Sequence, residues 1–346
     1  MKLLRILLYP FAVLYDIVTS IRNYFFDTGV LKSTKFNIPV IAVGNLSVGG
    51  TGKSPQIEYL IRLLKGTYKV AVLSRGYKRK TKGFQLINDS HTTEDVGDEP
   101  MQFYRKFKEE VYVAVDSDRT NGIEQLLTLE NPPELVLLDD AYQHRKVTAS
   151  SYILLTKFDD LFINDFILPT GNLRESRRGV KRAKAIVVTK CPEKLSILEQ
   201  DELVRRINPS PNQEVFFSRI VYNEDLGGIE NLQLKDLTRS KVVLVTGIAN
   251  PSSLLQYLNE RKINFHHIKF PDHHHFSEAD VSKIQQQYEA LEGKNKFIVT
   301  TEKDYVRLEG KLNNLVYIGI KNEFLGDENT FDTLVKNEIN KELCNE

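Results

Sequence analysis

The apolar positions of this chain follow two different rules on either side of residue 31. From Met1 to Phe26 they crowd together: Leu3, Leu4, Ile6, Leu7, Leu8, Phe11, Val13, Leu14, Ile17, Val18, Ile21, Phe25 and Phe26. Plotted at helical period, Lys2, Arg5, Tyr9, Ala12, Asp16, Thr19, Ser20, Asn23 and Asp27 gather in an arc of about 100°. The rest of the circumference is almost wholly apolar, apart from Arg22. The longest uncharged run, Ile6 to Tyr15, is too short to span a bilayer. Pro10 and Asp16 interrupt the segment and no small-residue cleavage site follows, which argues against a signal peptide. An amphipathic helix of this kind either lies in a membrane interface or packs on the protein's own core, and the pattern leaves both open. Pro10 marks a kink or a break in it.

After Lys32-Ser33-Thr34-Lys35, apolar runs on consecutive positions alternate with amphipathic segments. The runs predict strands over 39–45, 69–75, 111–116, 134–139, 152–156 and 185–189, with helices over 55–65, 99–109, 119–128 and 197–207. Uniformly apolar strands separated by helices belong to a parallel sheet covered on both faces, so the fold class is α/β and doubly wound. Asn208-Pro-Ser-Pro-Asn-Gln213 has the composition of a linker. Beyond it, strands are predicted over 215–222, 241–246, 265–270, 297–301 and 315–320, and helices over 251–261, 277–291 and 329–343. Ser277 with Asp280 has the spacing of an N-cap pair. The expected division is an N-terminal helix (1–31), a larger α/β domain (32–210) and a smaller α/β domain (211–346).

Composition changes this picture little. A chain of 346 residues has room for two cores. Its 47 basic and 46 acidic residues leave a net charge of +1, with no global basic field to attract nucleic acid. Cys191 and Cys344 are the two cysteines. They form no metal-spaced set, and their scarcity suits a reducing cytoplasmic compartment.

The candidate chemistry starts where the first predicted strand meets the first helix, in Asn45-Leu-Ser47-Val48-Gly49-Gly50-Thr51-Gly52-Lys53-Ser54. Strand, glycine-rich loop and helix start form the context of a phosphate-binding P-loop. Its N–H groups and the helix N-terminus would surround phosphate oxygens. Lys53 would reach the terminal phosphates and the Ser54 hydroxyl would ligate Mg²⁺. Ser47 stands where that motif has its first glycine. Without a ligand, the same stretch would be only a glycine-rich turn.

The strand ending Asp139-Asp140, followed by Ala141-Tyr142-Gln143-His144-Arg145, sets two carboxylates at the ligand edge of such a sheet. Asp98 and Glu99 open a predicted helix, where capping is the simpler role and acting as base for an attacking hydroxyl the alternative. Ser74-Arg75-Gly76-Tyr77-Lys78-Arg79-Lys80 suits an anionic substrate or a solvated basic loop equally well. Leu168-Pro-Thr-Gly-Asn-Leu-Arg174-Glu175 is a turn-rich loop able to clamp substrate or nucleotide. In Asp272-His273-His274-His275, consecutive histidines point different ways, so one histidine reaching an aspartate across a cleft is favoured over zinc. Thr301-Glu302-Lys303-Asp304 ends a strand and yields no chemistry by itself.

Together these stretches resemble one family, the tetraacyldisaccharide 4'-kinases, the lipid A 4'-kinases of Gram-negative bacteria. The matching pieces are Val43 to Ser54, Ser74-Arg-Gly-Tyr77, Val96-Gly-Asp-Glu-Pro100, Leu138-Asp-Asp-Ala-Tyr-Gln-His-Arg145, Leu168 to Glu175, Gly247-Ile-Ala-Asn-Pro251, Phe270-Pro-Asp-His-His274 and Thr301-Glu-Lys-Asp304. They run in family order up to about residue 308. The family's loop has serine at the position of Ser47. Ala141, where the family usually has glycine, and Ser176, where proline commonly follows Arg-Glu, are modest departures.

The resemblance implies a P-loop kinase fold and transfer of the γ-phosphoryl of ATP, with Mg²⁺, to the 4'-hydroxyl of a tetraacylated glucosamine disaccharide 1-phosphate. It implies nucleotide contacts from Ser47 to Ser54 and from Arg174, with Lys53 also assisting the transfer. Ser54, Asp139, Asp140, Gln143 and Glu175 would surround the metal. Asp98 would be the base, paired with His273, and Asn45, Arg75, Tyr77 and Glu99 would contact substrate. It also implies a monomer held by its N-terminal helix at the cytoplasmic face of the inner membrane. Two other classes compete. Partitioning-type ATPases carry lysine where Val48 stands, which argues against them. A kinase of soluble metabolites has no need of the apolar N-terminal helix.

Overall fold

A computed structural model describes residues 5–344, so Met1 to Leu4 of the N-terminal segment lie outside the described residues. Among these, the strands are β1 (Val40–Asn45), β2 (Val70–Ser74), β3 (Gln85–Leu86), β4 (Tyr112–Val115), β5 (Leu135–Asp139), β6 (Ser151–Lys157), β7 (Ala185–Thr189), β8 (Glu214–Gly227), β9 (Lys241–Thr246), β10 (Phe265–Lys269), β11 (Lys296–Thr301) and β12 (Leu315–Phe324). They form one sheet in the order β10-β9-β11-β12-β8-β7-β6-β1-β5-β2-β4-β3. Pairing is parallel except for β3 with β4 and β8 with β12. Every residue of β1 and β5 is buried, as a parallel sheet covered on both faces requires.

The joint between the two halves is β8. Its first residues, Glu214 to Phe217, pair in parallel with β7, and Ser218 to Gly227 pair antiparallel with β12. The linker of the sequence pattern is thus a tight turn. Asn208, with φ of 51°, ends helix α6 (Ile197–Ile207), and β8 starts six residues later. The last helix, α10 (Glu328–Leu343), returns to the first half. Its Phe331, Leu334, Val335 and Ile339 share a core with Ile41 and Val43 of β1 and with Ile57, Leu60 and Ile61 of α2 (Lys53–Leu64).

Helices and strands follow the hydrophobic pattern to within a few residues, with β8 and β12 longer than expected. The pattern missed β3, the one-turn helix α3 (Thr93–Val96) and α9 (Glu302–Leu308). These are too short to show a period. A local signal for α9 was present all the same: Thr301 caps it, accepting from the Asp304 N–H at 3.2 Å, which is a Thr-x-x-Asp cap.

The N-terminal helix α1 (Tyr9–Asp27) carries Pro10 in its first turn, so the proline marks a boundary and not a kink. It does not pack its apolar face on the core. The shielded residues are Ala12, Asp16, Thr19, Ser20 and Asn23 from the polar arc, joined near the end of the helix by Phe26. Phe11, Leu14 and Val18 are 63%, 60% and 57% exposed. Polar contacts attach the helix: Asn23 Nδ2 donates to Glu175 Oε2 (2.8 Å), Tyr15 to the Arg174 carbonyl (3.1 Å) and Arg145 to Asp27 (2.6 Å). No helix among the described residues is long and apolar enough to cross a membrane.

Candidate active site

The P-loop leaves β1 at Asn45 and enters α2 at Gly52. Gly49 (φ 108°) and Gly52 (φ 86°) are both left-handed, and a side chain at either position would strain the turn. Ser47 shows no positive φ, so its position makes no demand that only glycine meets. Its backbone instead bridges Leu173, while the Val48 N–H donates to the Asn172 carbonyl (2.8 Å) and the Arg174 N–H to Leu46 (2.7 Å). The 168–175 loop is therefore stitched to the P-loop as an added edge. On the other side, Thr189 at the end of β7 donates to the Thr51 carbonyl and Lys190 to that of Gly50, each at 2.8 Å. Lys53 lies 3.4 Å from both Asn45 Oδ1 and Asp140 Oδ1. Ser54 follows it in the first turn of α2, next to the positive end of the helix.

At the end of β5, Asp139 is buried and accepts from the Ser74 hydroxyl (3.0 Å), but its Oδ1 has no partner. Burial and the charge of Asp140 push its carboxyl up to about 6, with Glu99 near enough to add to the effect. Asp140, at φ 47°, is held by Arg174 (3.0 Å) and Lys53. Burial works to raise its carboxyl, yet the two cations keep it below the usual carboxylate value. Glu175 sits further back. It accepts from Arg182 (2.7 Å), Gln143 (3.0 Å) and Asn23, and Gln143 also donates to the Asn45 carbonyl (2.9 Å). Beneath the aspartates, the buried Arg119 donates to the carbonyls of Asp116 and Asp139.

Asp98 opens helix α4 (Asp98–Phe107), but its side chain caps nothing. It turns to the second half of the chain, where His273 Nδ1 lies 3.1 Å from Oδ2 and Arg307 contacts both carboxylate oxygens. Burial alone would raise this carboxyl. The Arg307 guanidinium and His273 hold it well below the ordinary range. The simpler capping role is thus overturned. Tyr77 is exposed, with its ring centroid 6.1 Å from that of His273, and Glu99 lies 4.0 Å from Lys303. Arg75 is exposed on the same loop as Tyr77. The three histidines do separate, each to its own carboxylate: His273 to Asp98, His274 to Asp280 at 3.0 Å and His275 to Glu94 at 3.6 Å.

The site thus has two adjoining parts, a phosphate cradle from the first half and an aspartate gripped by the second. The family described as tetraacyldisaccharide-1-P 4'-kinase matches residues 4–340. The chain belongs to that family. The tetraacyldisaccharide 4'-kinase of Flavobacterium johnsoniae is 51% identical over 346 residues, 99% of each chain. That of Flavobacterium psychrophilum is 52% identical over 350 residues, covering 100% of both. A solved structure of LpxK from Aquifex aeolicus in complex with ATP superposes with a TM-score of 0.78 at 31% identity, covering 97% of this chain and 99% of that one.

Within this kinase fold, sequence reasoning missed Lys303 and Arg307. Both lie on α9, the helix it also missed, one turn apart on the same face. The base of α9 is fixed by a buried charge cluster that was likewise not anticipated. Lys106 of α4 lies 2.6 Å from Glu58 of α2 and 2.7 Å from Glu302 of α9. Glu58 also accepts from Gln102 (3.0 Å) and Arg62 (3.1 Å). The P-loop helix, the Asp98 helix and α9 therefore meet at one ammonium group.

Proposed function

We propose that this site transfers the γ-phosphoryl of ATP to the 4'-hydroxyl of tetraacylated glucosamine disaccharide 1-phosphate, a step of lipid A biosynthesis. The observation that carries the reading is the approach of His273 to Asp98, together with a P-loop lysine and an aspartate pair of which Asp139 is buried. A loose phosphoryl-transfer transition state asks for positioning and positive charge more than covalent help. Lys53 and Arg174 supply that charge. In the present arrangement both neutralise Asp140, and nucleotide phosphates would compete for them. The N–H groups from Ser47 to Ser54 hold the phosphates, with Thr51 and Gly52 shaping the turn. Asp98 accepts the proton of the attacking hydroxyl while His273 orients it. Arg75, Tyr77 and Glu99 line the acceptor side, whereas Asn45 is fully buried, donates to the Ser47 carbonyl and reaches the site only through Lys53.

The donor set fits a magnesium ion. Asp139 offers a buried carboxylate oxygen with no partner, Asp140 stands next to it, and the Ser54 hydroxyl opens the adjoining helix. Magnesium is held by one or two carboxylates plus substrate phosphates, and when bound it neutralises charge between the phosphoryl groups. Gln143 and Glu175 surround this set from behind.

In this reading, residues 32–210 bind nucleotide, and 211–346 bring His273 and close the cleft, limiting hydrolysis of ATP without an acceptor. One chain is a complete unit, since every residue named comes from it. The outward apolar face of α1 lies in the cytoplasmic leaflet of the inner membrane, where the acyl chains of the acceptor also reside. Labelled phosphate transfer from ATP to the disaccharide in detergent micelles tests the reading. Hydrolysis of ATP with no labelled lipid would refute it.

A further inference from the structure

Arg307 and Lys303 reach the base from α9 with geometry that fixes how the base is presented. Arg307, only 8% exposed at its side chain, donates Nε–H to Asp98 Oδ1 at 2.9 Å and an Nη2 hydrogen to Oδ2. Its Nη1 is held by Asp304 (3.3 Å) and the His274 carbonyl (3.4 Å). Lys303 Nζ lies 3.0 Å from His273 Nε2. An ammonium group only donates, so Nε2 must accept. The ring proton is then on Nδ1, and Nδ1–H donates to Asp98 Oδ2. Nδ1 also lies 3.2 Å from Arg307 Nη2. These two are both donors, brought close because they converge on the same oxygen. Oδ2 thus receives two hydrogen bonds and Oδ1 one, and each carboxylate oxygen has room for about two. The open acceptor position is on Oδ1.

We propose that Arg307 and Lys303 are positioning residues for the transfer reaction. Arg307 locks the Asp98 carboxylate so that Oδ1 takes the proton of the acceptor hydroxyl, and Lys303 selects the His273 tautomer that occupies Oδ2. In the step itself, the acceptor O–H bond breaks and an Oδ1–H bond forms. The freed oxygen electron pair makes the new bond to phosphorus as the bond to the ADP oxygen breaks, and Arg307 and Lys303 keep their protons throughout. The bidentate grip restrains Asp98 in orientation at the expense of basicity, a trade suited to a reaction limited by alignment. The charged groups facing Asp98 are Arg307 and Lys303 from α9, His273 from the loop after β10, and Glu99 from its own helix. Asp272 and Asp304 lie beside the two cations.

This inference rests on Asp98 being the base, so the test separates the two ideas. Transfer kinetics in micelles are measured across pH for the full-length wild type, Asp98→Asn, Arg307→Gln, Arg307→Lys and Lys303→Met, with binding of an ATP analogue and thermal melting alongside. Arg307→Gln should lower kcat at least tenfold with little change in KM for ATP, and move the acid limb of the profile up by about 1–3 pH units, as loss of an adjacent opposite charge does. Arg307→Lys should leave the limb near its wild-type position but still lower kcat, because lysine cannot make the two-point contact. Lys303→Met should lower kcat without moving KM for ATP. An acid limb unchanged in Arg307→Gln overturns the proposal. If that variant does not fold, wild-type kcat in Arg307→Lys overturns it instead. Transfer retained by Asp98→Asn would remove the base reading itself, whatever Arg307 does.

Discussion

Asp98 and Arg307 are 209 residues apart in the chain, and the guanidinium of one grips both oxygens of the other. The carboxylate of the first half that is proposed as the base is therefore held by the second. The pairing also has a consequence for stability. The folded carboxyl of Asp98 is depressed, so its contribution is present in full above the ordinary carboxylate range and is lost as pH falls toward the folded value. Chemical unfolding should show wild type more stable than Asp98→Asn at neutral pH, with the gap shrinking below about pH 4. A gap that stayed constant into acid would mean that the ion pair adds nothing.

Lys53 sits between Asn45 and Asp140 in the cradle. Lys53→Ala should reduce phosphate transfer by about 100-fold or more, the usual loss when a charge aimed at the transition state is removed. The fold should survive, since Arg174 still neutralises Asp140. Transfer rates and melting curves together check this, and an active variant would exclude Lys53 from the phosphate site.

Much of the cradle was legible because it is local. The P-loop is consecutive in sequence, and Asp139-Asp140 ends an apolar run that could only be a buried strand. Asp98 was ambiguous because a carboxylate at a helix start caps as readily as it pairs with a distant side chain, and only the partner decides. That partner, Arg307, stands on a seven-residue helix with too few apolar positions to show a period. The linker composition at 208–213 was also real, yet it makes a turn within one sheet because β8 bends across both halves. For α1 the pattern gave the two faces but not which one turns inward. Polar contacts to Gln143, Arg145 and Glu175 decide that, and they come from residues more than a hundred positions away.

The outward face of α1 gives a direct prediction. Phe11→Ser and Leu14→Ser should each weaken partitioning onto phospholipid vesicles by about tenfold, the worth of burying one large apolar side chain. Asn23→Ala should leave partitioning unchanged and reduce transfer, because it frees Glu175 on the opposite side of the helix. Vesicle sedimentation distinguishes the two, and unchanged binding of both apolar variants would show that this face does not meet lipid.

Lys106 joins two buried carboxylates. Lys106→Met should destabilise the protein by about 3–5 kcal/mol near neutral pH, as when one partner of a buried ionic cluster is removed. Burial and Glu58 already raise the Glu302 carboxyl, so the folded state takes up protons there more readily than the unfolded chain, and stability falls as pH rises through the window above the ordinary carboxylate value. The cost of Lys106→Met should therefore be smaller in mild acid, where Glu302 can protonate, than in mild alkali. Urea denaturation at the two pH values checks the sign.

In the reaction proposed for this site, one chain moves phosphate from ATP to the 4'-position of an acylated disaccharide with Asp98 as the base. The most direct test is the incubation of purified protein with labelled ATP, magnesium and tetraacyl disaccharide 1-phosphate in micelles, with the product's phosphate positions assigned by NMR. Wild type should give the 1,4'-bisphosphate and Asp98→Asn essentially none, with ATP-analogue binding intact in both. Phosphate at another hydroxyl, or equal product from Asp98→Asn, would contradict the account.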